Sequence, residues 1–245
     1  MQPVKQWLEK YEKVKNLLIS PVDYNQLFRA KEVLNKKTFV VNMGTITFPT
    51  GQILVRDPIV YLHPREEAYF IKVPIGTFQL ETLVAEIREN HYMYIATRIK
   101  FTEEKSVIYE EALIGYENLD DVDENSFFGF QVDTGLVTIV DVQIKDAYHN
   151  FCEEWSQDNP EKEIYNTYFS EKFKESYKNS PHFQIQEGNW INFTIPGTNL
   201  NMPMICPGFG EATYFVYFGR DSKGEISEIV IEYLTVDSLD YVVSE

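Results

Sequence analysis

A short acidic turn is the first position in the sequence that could support chemistry. Asp133-Thr134-Gly135 lies between two apolar segments. One chemistry open to a carboxylate in such a turn is hydrolysis by a pair of carboxylates that share one proton. Because the tripeptide occurs only once, this chemistry would require two copies of the protein. The simpler interpretation is a tight turn, in which Asp133 bonds nearby backbone and Gly135 takes a positive φ.

Two further observations argue against an enzyme built on this turn. It resembles the active-site turn of aspartic peptidases, but the hydrophobic-hydrophobic-Gly element that braces their fold is missing downstream. Asp141 follows Asp133 by eight residues, and a regular strand of that length would separate the two by roughly 25 Å at ~3.3 Å per residue. Asp141 is therefore predicted to cap the helix that follows it.

Charged residues and glycines elsewhere complete the set of candidates. Arg98 and Glu110 lie on neighbouring predicted strands, where an ion pair across the sheet would explain both. The glycine loop after Pro207 lacks the Lys-Ser/Thr of a phosphate cradle, and is predicted to be a turn before the last hairpin. The candidate catalytic residues are Asp133, Glu110, Arg98 and Glu211. The candidate binding residues are Asp133, Gly135, Gly208, Gly210, Tyr214 and Tyr217.

Residues that commonly bind metals do not form a motif. The four histidines are His63, His91, His149 and His182. They fall on a loop, a turn, a helix and a proline-flanked end, and no pair has the spacing of metal ligands. Cys152 and Cys206 have no CxxC neighbour and are expected to be small buried hydrophobes in a reducing compartment. We therefore expect no metal and no cofactor.

The formal net charge of −16 restricts the classes of partner. Such a surface repels phosphate groups, so neither nucleic acid nor an anionic membrane is expected to bind. It favours a basic protein partner, although negative charge also promotes solubility by itself. The N-terminal residues are too polar for a signal peptide, and no apolar run is long enough to span a bilayer. We therefore expect the protein in the cytoplasm.

Helical and alternating patterns follow one another along the chain. Apolar residues at helical spacing predict a first helix that ends before Pro21, and Asp23 is expected to cap a second helix that reaches Leu34. From Thr38 the pattern becomes that of strands. The segment 77–101 is predicted to form a hairpin with a turn at 88–91, although propensity leaves a helix at 83–87 as an alternative.

The second half of the sequence contains a helical insert and a final hairpin. Residues 146–181 are predicted to be helical, with a second helix starting at Asn159-Pro160. Strands at 213–218 and 226–234 form the hairpin, and no internal repeat is evident. The sequence therefore predicts one α+β domain over residues 1–245, with a largely antiparallel β-sheet core. Its segments are N-terminal helices (1–36), a β-rich part (37–145), the helical insert near residues 146–180 and a β-rich C-terminal part (182–245).

Five groups of short motifs occur in a fixed order between Gly44 and Leu234. They are Phe48-Pro49-Thr50-Gly51 with Asp57-Pro58; Val73-Pro74-Ile75-Gly76; Arg98-Ile99-Lys100-Phe101 with Glu110-Glu111-Ala112-Leu113; Phe128 to Gly135 with Asp141; and Gly208 to Glu211 with Tyr214, Tyr217, Gly219 and Asp221. In this order they resemble a family of uncharacterised bacterial proteins, domain of unknown function 4241. The chain departs from the family pattern at Thr134-Gly135, where Ala-Gly is usual, and at Gly210-Glu211-Ala212, where Gly-Asp-Gly is usual. The resemblance implies no chemistry.

Two functional hypotheses remain open at this point. The leading one is a protein-binding module, such as an immunity-type protein that neutralises a basic effector, because the chain is acidic and has no catalytic signature. The acidic helical insert, with Trp155 and Tyr165 between its carboxylates, is one surface that such a partner could use. The alternative is a hydrolase or nucleotide-related enzyme that gathers its carboxylates and Arg98 in a cleft.

Overall fold

The fold is α+β and is dominated by antiparallel strands, as the sequence predicts. A computed structural model describes residues 3–235 and residue 240. The helices are α1 (Lys5–Val14), α2 (Tyr24–Leu27), α3 (Ile144–Asp158) and α4 (Ser170–Asn179), with a 3₁₀ turn at Lys15–Leu17 and a π-helical turn at Tyr165–Phe169. The strands are β1 (Glu32–Val33), β2 (Lys36–Phe48), β3 (Ile53–Arg56), β4 (Gly76–Arg88), β5 (His91–Lys100), β6 (Ile108–Glu111), β7 (Phe130–Val132), β8 (Thr138–Asp141), β9 (Trp190–Thr194), β10 (Asn201–Ile205), β11 (Ala212–Arg220) and β12 (Ile226–Glu232).

Eight of these strands form the main sheet, in the order β1-β2-β4-β5-β12-β11-β6, with β7 paired to the far end of β11. β9 and β10 form a separate antiparallel pair, and so do β3 and β8. The predicted hairpin at 213–234 is confirmed as β11 and β12. β12 pairs with β5 on one side and with β11 on the other. The sheet therefore joins the strands before residue 101 to the strands after residue 211.

The hairpin predicted over residues 77–101 is confirmed. β4 and β5 pair from Leu80 with Ile99 to Arg88 with His91, and Asn90 in the turn has a φ of 58°. The helical alternative at 83–87 is wrong, because alternate residues of β4 enter different cores. Val84 packs in one hydrophobic cluster, while Leu83 packs in another on the opposite side.

The N-terminal segment follows the prediction only in part. Asp23 caps α2 as expected, since its Oδ1 accepts a hydrogen bond from the Gln26 N–H at 3.1 Å. The predicted extension of this helix to Leu34 is wrong, because α2 ends at Leu27 and β1 follows it. Leu34 and Asn35 have φ angles of 49° and 61°, and they form the tight turn between β1 and β2.

A buried carboxylate connects α2 to the main sheet. The Tyr24 hydroxyl donates to Glu232 Oε2 over 2.6 Å and lies 3.1 Å from Ser20 Oγ. Both Tyr24 and Glu232 are buried. Burial raises the pKa of Glu232 to about 7, against a smaller opposite effect of the Tyr24 hydroxyl. The ionised form of this acid therefore costs free energy in the folded state.

The helical insert begins slightly earlier than predicted and is divided at a different place. α3 runs from Ile144 to Asp158, but Asn159-Pro160 does not start the next helix. Glu161 has a φ of 68°, and the Lys162 N–H donates to the Asn159 carbonyl at 3.2 Å, so the chain forms a turn here. Within residues 3–235 and 240, no helix combines the length and apolar character needed to cross a membrane.

The β3–β8 ribbon lies between two hydrophobic clusters. Ile53 and Val55 belong to the cluster that covers the main sheet. Leu54 and Val140 belong to the cluster that includes the aromatic residues of the helical insert. Both faces of the ribbon are therefore buried, which explains why its sequence is almost continuously apolar rather than alternating. The ribbon fixes the position of every loop attached to its ends.

Replacing Glu232 with Gln should remove a pH-dependent cost to folding. Between its ordinary pKa of 4.5 and about 7, the carboxyl binds a proton more tightly in the folded state than in the unfolded state. This group therefore lowers the free energy of unfolding of the wild type as pH rises through that window, by roughly 3 kcal/mol in total. Glu232→Gln lacks this loss, so its stability relative to wild type should increase with pH.

Denaturant titrations at about pH 5 and about pH 8 measure the change. The control is Glu225→Gln, which removes an exposed charge from the turn before β12 and should differ from wild type equally at both values. A difference between Glu232→Gln and wild type that does not depend on pH would contradict the raised pKa.

Candidate functional site

Two segments of the chain share a pattern that the sequence reasoning did not detect. Residues 50–57 and 134–141 each read Thr-Gly, five intervening residues, then Asp. β3 lies within the five intervening residues of the first copy, β8 covers the last three intervening residues and the Asp of the second, and these strands pair with each other. Val55 and Ile139 hold the same place in the two copies and are also register partners. The two copies are therefore related by a local two-fold axis.

The aspartate of each copy binds the threonine of the other. Asp57 accepts hydrogen bonds from the Thr134 N–H at 2.7 Å and the Thr134 hydroxyl at 2.8 Å. Asp141 accepts them from the Thr50 N–H at 2.9 Å and the Thr50 hydroxyl at 2.8 Å. Asp57 and Asp141 are 0% and 3% exposed. We name this arrangement the reciprocal clasp.

The glycines of the two copies have the same backbone conformation. Gly51 and Gly135 have φ angles of 68° and 69°, a region that L side chains rarely adopt. At Gly51 a Cβ atom would lie 2.2 Å from the Val73 carbonyl oxygen, so a side chain does not fit. The positive φ predicted for Gly135 is therefore confirmed, and the glycine directs the chain into the clasp.

The clasp corrects three predictions from the sequence. Asp133 and Asp141 do not lie on one strand, because β8 begins only at Thr138. Asp141 accepts one bond from the Gln143 N–H at 3.1 Å, but Gln143 occupies the N-cap position of α3 without a side-chain cap bond, and Asp141 mainly binds Thr50. The statement that no internal repeat is present is wrong. Its signal was the equal spacing of Thr-Gly and Asp in residues 50–57 and 134–141.

Asp133 takes no part in the clasp through its side chain. Its carboxylate accepts hydrogen bonds from the Tyr61 hydroxyl and, at 2.9 Å, from Gln131 Nε2, rather than from its own backbone as predicted. The Tyr61 hydroxyl, and to a smaller extent Gln131, hold the pKa of Asp133 below its ordinary value. This carboxylate is therefore exposed, ionised and fixed in orientation.

A pocket of about 260 Å³ opens beside Asp133. Its walls include Tyr61 and Gln131, the two residues that bind the Asp133 carboxylate. Aromatic and aliphatic side chains form much of the remaining wall. They include Tyr69, Ile114, Tyr116, Phe128 and Phe130. The lining is thus apolar with a few fixed polar groups, which is the usual composition of a small-molecule site.

Arg56 also lines this pocket, and only 9% of it is exposed. Its Nε donates to Glu66 Oε2 at 2.9 Å and its Nη1 to the Val55 carbonyl at 2.7 Å. The Tyr69 hydroxyl lies against the same guanidinium and interacts with it. A guanidinium has five N–H groups, so these three partners do not exhaust its donors.

Arg98 and Glu110 do not meet, which corrects the predicted ion pair. β5 lies between β4 and β12, whereas β6 pairs with β11 at the far side of the sheet. Arg98 instead binds Glu81 of β4, with 2.9 Å between Nη2 and Oε2, and its guanidinium lies 4.2 Å from the centroid of the Phe28 ring. Glu110 accepts a hydrogen bond from Arg220 Nε at 2.6 Å. Each charge has its own local partner.

The glycine loop at 208–210 does approach the Asp133 turn. A Cβ on Gly135 would lie 3.7 Å from the Gly210 Cα, so the two loops are in contact. Glu211, the next residue, is exposed and makes no hydrogen bond within residues 3–235. At Gly208 a Cβ would lie 2.7 Å from Leu234 Cγ, which explains this glycine by packing.

Tyr214 and Tyr217 have structural environments. The Tyr214 hydroxyl donates to the Gly210 carbonyl at 3.0 Å, and its ring is buried in the cluster that covers the main sheet. Tyr217 is buried beside Tyr24, with 5.9 Å between the ring centroids. Of the predicted binding residues, Asp133, Gly135 and Gly210 are therefore together, while the two tyrosine side chains pack inside the protein.

Two histidines share a second cavity, of about 480 Å³, between α3 and the loop after β3. His63 and His149 line it together with Cys152, and His149 Nε2 lies 3.2 Å from Glu153 Oε1. Burial raises the pKa of the Cys152 thiol to about 11, so this sulfur stays protonated at neutral pH. In the part of the chain that is described, no three His, Cys, Asp or Glu side chains lie close enough to hold a metal ion.

Replacing Tyr61 with Phe should raise the pKa of Asp133 towards its ordinary value, because the hydroxyl is the main cause of the lowering. A pH titration of the carboxyl ¹³C resonances measures this directly. Asp123 is the internal control, since its pKa is also lowered, but mainly by the Ser126 hydroxyl, and it should not respond. An unchanged Asp133 titration in Tyr61→Phe would contradict the described contact.

The family model described as "Protein of unknown function (DUF4241)" matches residues 46–231. Both copies of the Thr-Gly…Asp pattern and the pocket-lining residues from Arg56 to Gln131 lie inside the match, whereas α1 and α2 lie outside it. No curated protein and no solved structure matches the chain. The match covers more than half of the chain and agrees with the resemblance seen in the sequence motifs, so this protein belongs to the DUF4241 family.

Proposed function

We propose that this protein is a cytoplasmic binding module that docks a basic protein partner, as an immunity-type protein neutralises a basic effector. The net charge of −16 supports this proposal, because long-range attraction speeds the encounter with a cationic surface. Charge alone does not define a surface, however. The proposal needs carboxylates that are not already used within the protein, beside residues that could anchor a partner.

The loop of residues 120–125, which we name the acidic loop, meets both conditions. Asp121 and Glu124 are exposed and form no ion pair within the described residues. Asp120 is the exception, since it pairs with Lys10. The acidic loop lines a depression of about 320 Å³. Asp121 lines this depression and Glu124 lies three residues further along the same loop, so a cationic side chain would meet carboxylates that are not already paired.

Exposed aromatic rings flank the acidic loop. Phe127 is 57% exposed, and its ring is held by an edge contact with Phe215 at 5.2 Å between centroids. Tyr116, on the other side of the loop, is 65% exposed. Aromatic residues are enriched among the anchors of protein interfaces, and they also attract cationic side chains. The observation that carries the proposal is the unpaired Asp121 carboxylate, which lines the same depression as the exposed Phe127.

The alternative hypothesis, an enzyme that gathers carboxylates and Arg98 in a cleft, receives no support from the geometry. Arg98 and Glu110 are each bound to a different partner, on different strands of the sheet. Asp133 is near the glycine loop that precedes Glu211, but neither of the other two candidates joins them. The four residues therefore do not form one acid–base site.

Reversing the charge of the acidic loop should weaken partner binding about tenfold, as expected when charges at a steered interface are inverted. The test variant is Asp121→Lys with Glu124→Lys. The matched control is Glu154→Lys with Asp158→Lys on α3, which changes the net charge by the same amount at the other acidic surface. Tagged proteins are used to capture partners from host lysate at low and high salt, and the affinity of each captured protein is then measured after purification.

The proposal expects a basic protein that binds wild type and the control variant but is lost with the acidic-loop variant. Retention of no basic protein at low salt would contradict docking. Equal weakening in both variants would show that net charge, rather than the acidic loop, determines binding. Loss of binding in the α3 variant alone would place the interface on the helical insert and not on the acidic loop.

A further inference from the structure

We propose that the pocket beside Asp133 binds a small zwitterion, such as an amino acid, with its carboxylate on Arg56 and its ammonium group towards Asp133. This site is independent of the acidic loop and does not rest on docking of a protein. The internal two-fold symmetry is the starting point. Residues that the clasp requires should occur in both copies. A charged residue that occurs in only one copy therefore needs another explanation.

Arg56 and Asp133 are charged at positions where the other copy is not. Asp133 precedes Thr134, and the equivalent residue before Thr50 is Pro49. Arg56 precedes Asp57, and the equivalent residue before Asp141 is Val140, which is fully buried. A copy of the clasp therefore forms without a charge at either position. Neither charge is needed for the clasp, yet Arg56 lines the pocket and Asp133 is bound directly by Tyr61 and Gln131, which line it too.

Arg56 supplies the cationic end of the site. A buried guanidinium is costly unless it is well paired, and Glu66 occupies only its Nε side. The N–H groups that are not bound to Glu66, the Val55 carbonyl or the Tyr69 hydroxyl can donate charge-assisted hydrogen bonds to a ligand carboxylate. Because Glu66 already offsets its charge, Arg56 is suited to one small carboxylate rather than to a highly charged phosphate.

Asp133 supplies the anionic end. Tyr61 and Gln131, which line the pocket, both donate to its carboxylate, and they hold its pKa below the ordinary value. A charged oxygen that is fixed in place by two side chains is preorganised to accept a bond from an ammonium group. The Tyr61 hydroxyl donates to Asp133, so its remaining lone pairs can also accept a bond from that group.

The size and the walls of the pocket agree with this class of ligand. A cavity of about 260 Å³ holds an amino acid but not a nucleotide or a long peptide. Phe128 and Phe130 offer an apolar surface for its side chain. A ligand with no net charge also avoids the repulsion that the net charge of −16 imposes on free anions.

Calorimetric titration of the full-length protein with the standard amino acids tests the proposal. For the tightest binder, two analogues are then compared: the amine that lacks the carboxylate and the acid that lacks the ammonium group. We expect saturable binding of at least one amino acid, and binding about tenfold weaker for each analogue, since each loses one charge-assisted contact.

Asp133→Asn assigns the ammonium contact. It should remove the preference for the amino acid over its deaminated acid, while the affinity for that acid stays unchanged. Asp158→Asn, the same change at an exposed residue of α3, should keep the preference. Arg56→Lys should weaken the binding of the amino acid and of the deaminated acid by the same factor. If this variant does not fold, the amine analogue on wild type measures the same contact.

Three results would overturn the proposal. The first is the absence of saturable binding by every amino acid up to millimolar concentration. The second is equal affinity for the amino acid and either analogue. The third is a preference for the ammonium group that survives Asp133→Asn in a protein with the wild-type melting temperature.

Discussion

The reciprocal clasp is the constraint on which the centre of this structure depends. Asp57 and Asp141 are buried carboxylates, and a buried charge is stable only when it is fully hydrogen-bonded. Each aspartate accepts one N–H bond from the residue two positions after it, but its hydroxyl donor and a further N–H come from the threonine of the other copy. Each copy of the pattern therefore completes the other. The two segments, which lie far apart in the chain, are held in one register.

The ribbon that the clasp joins divides the protein into its two largest hydrophobic clusters. One face of the ribbon covers the main sheet, and the other receives the helical insert through residues such as Phe169 and Phe173. The loops at the ends of the ribbon then have fixed positions. The same support holds Arg56 in the wall of the pocket and Asp133 against the lining residues Tyr61 and Gln131, because side chains are most precisely placed when rigid elements carry them.

The sequence was sufficient for features set by local physics and insufficient for those set by long-range pairing. Alternation and turn residues correctly located the β4–β5 and β11–β12 hairpins, and the capping preference located Asp23. Pairing between distant strands has no local signal. The sequence therefore pairs Arg98 with Glu110, whereas in the structure Arg98 binds Glu81. The sequence identifies Asp133 as a candidate, but it gives Asp57 only as part of a family motif and gives no role to Arg56. Comparing residues 50–57 with 134–141 would have revealed both.

The free energies of unfolding of three Asp→Asn variants test this account most directly. An asparagine at position 57 or 141 replaces one acceptor oxygen with an N–H₂ donor that faces N–H and O–H donors. We therefore predict that Asp57→Asn and Asp141→Asn each lose about 3 kcal/mol, and by similar amounts because the copies are symmetric. Asp133→Asn should lose much less, because its exposed side chain lies outside the clasp and bonds only Tyr61 and Gln131. Wild-type stability in Asp57→Asn or Asp141→Asn, or equal losses in all three variants, would contradict the reciprocal clasp.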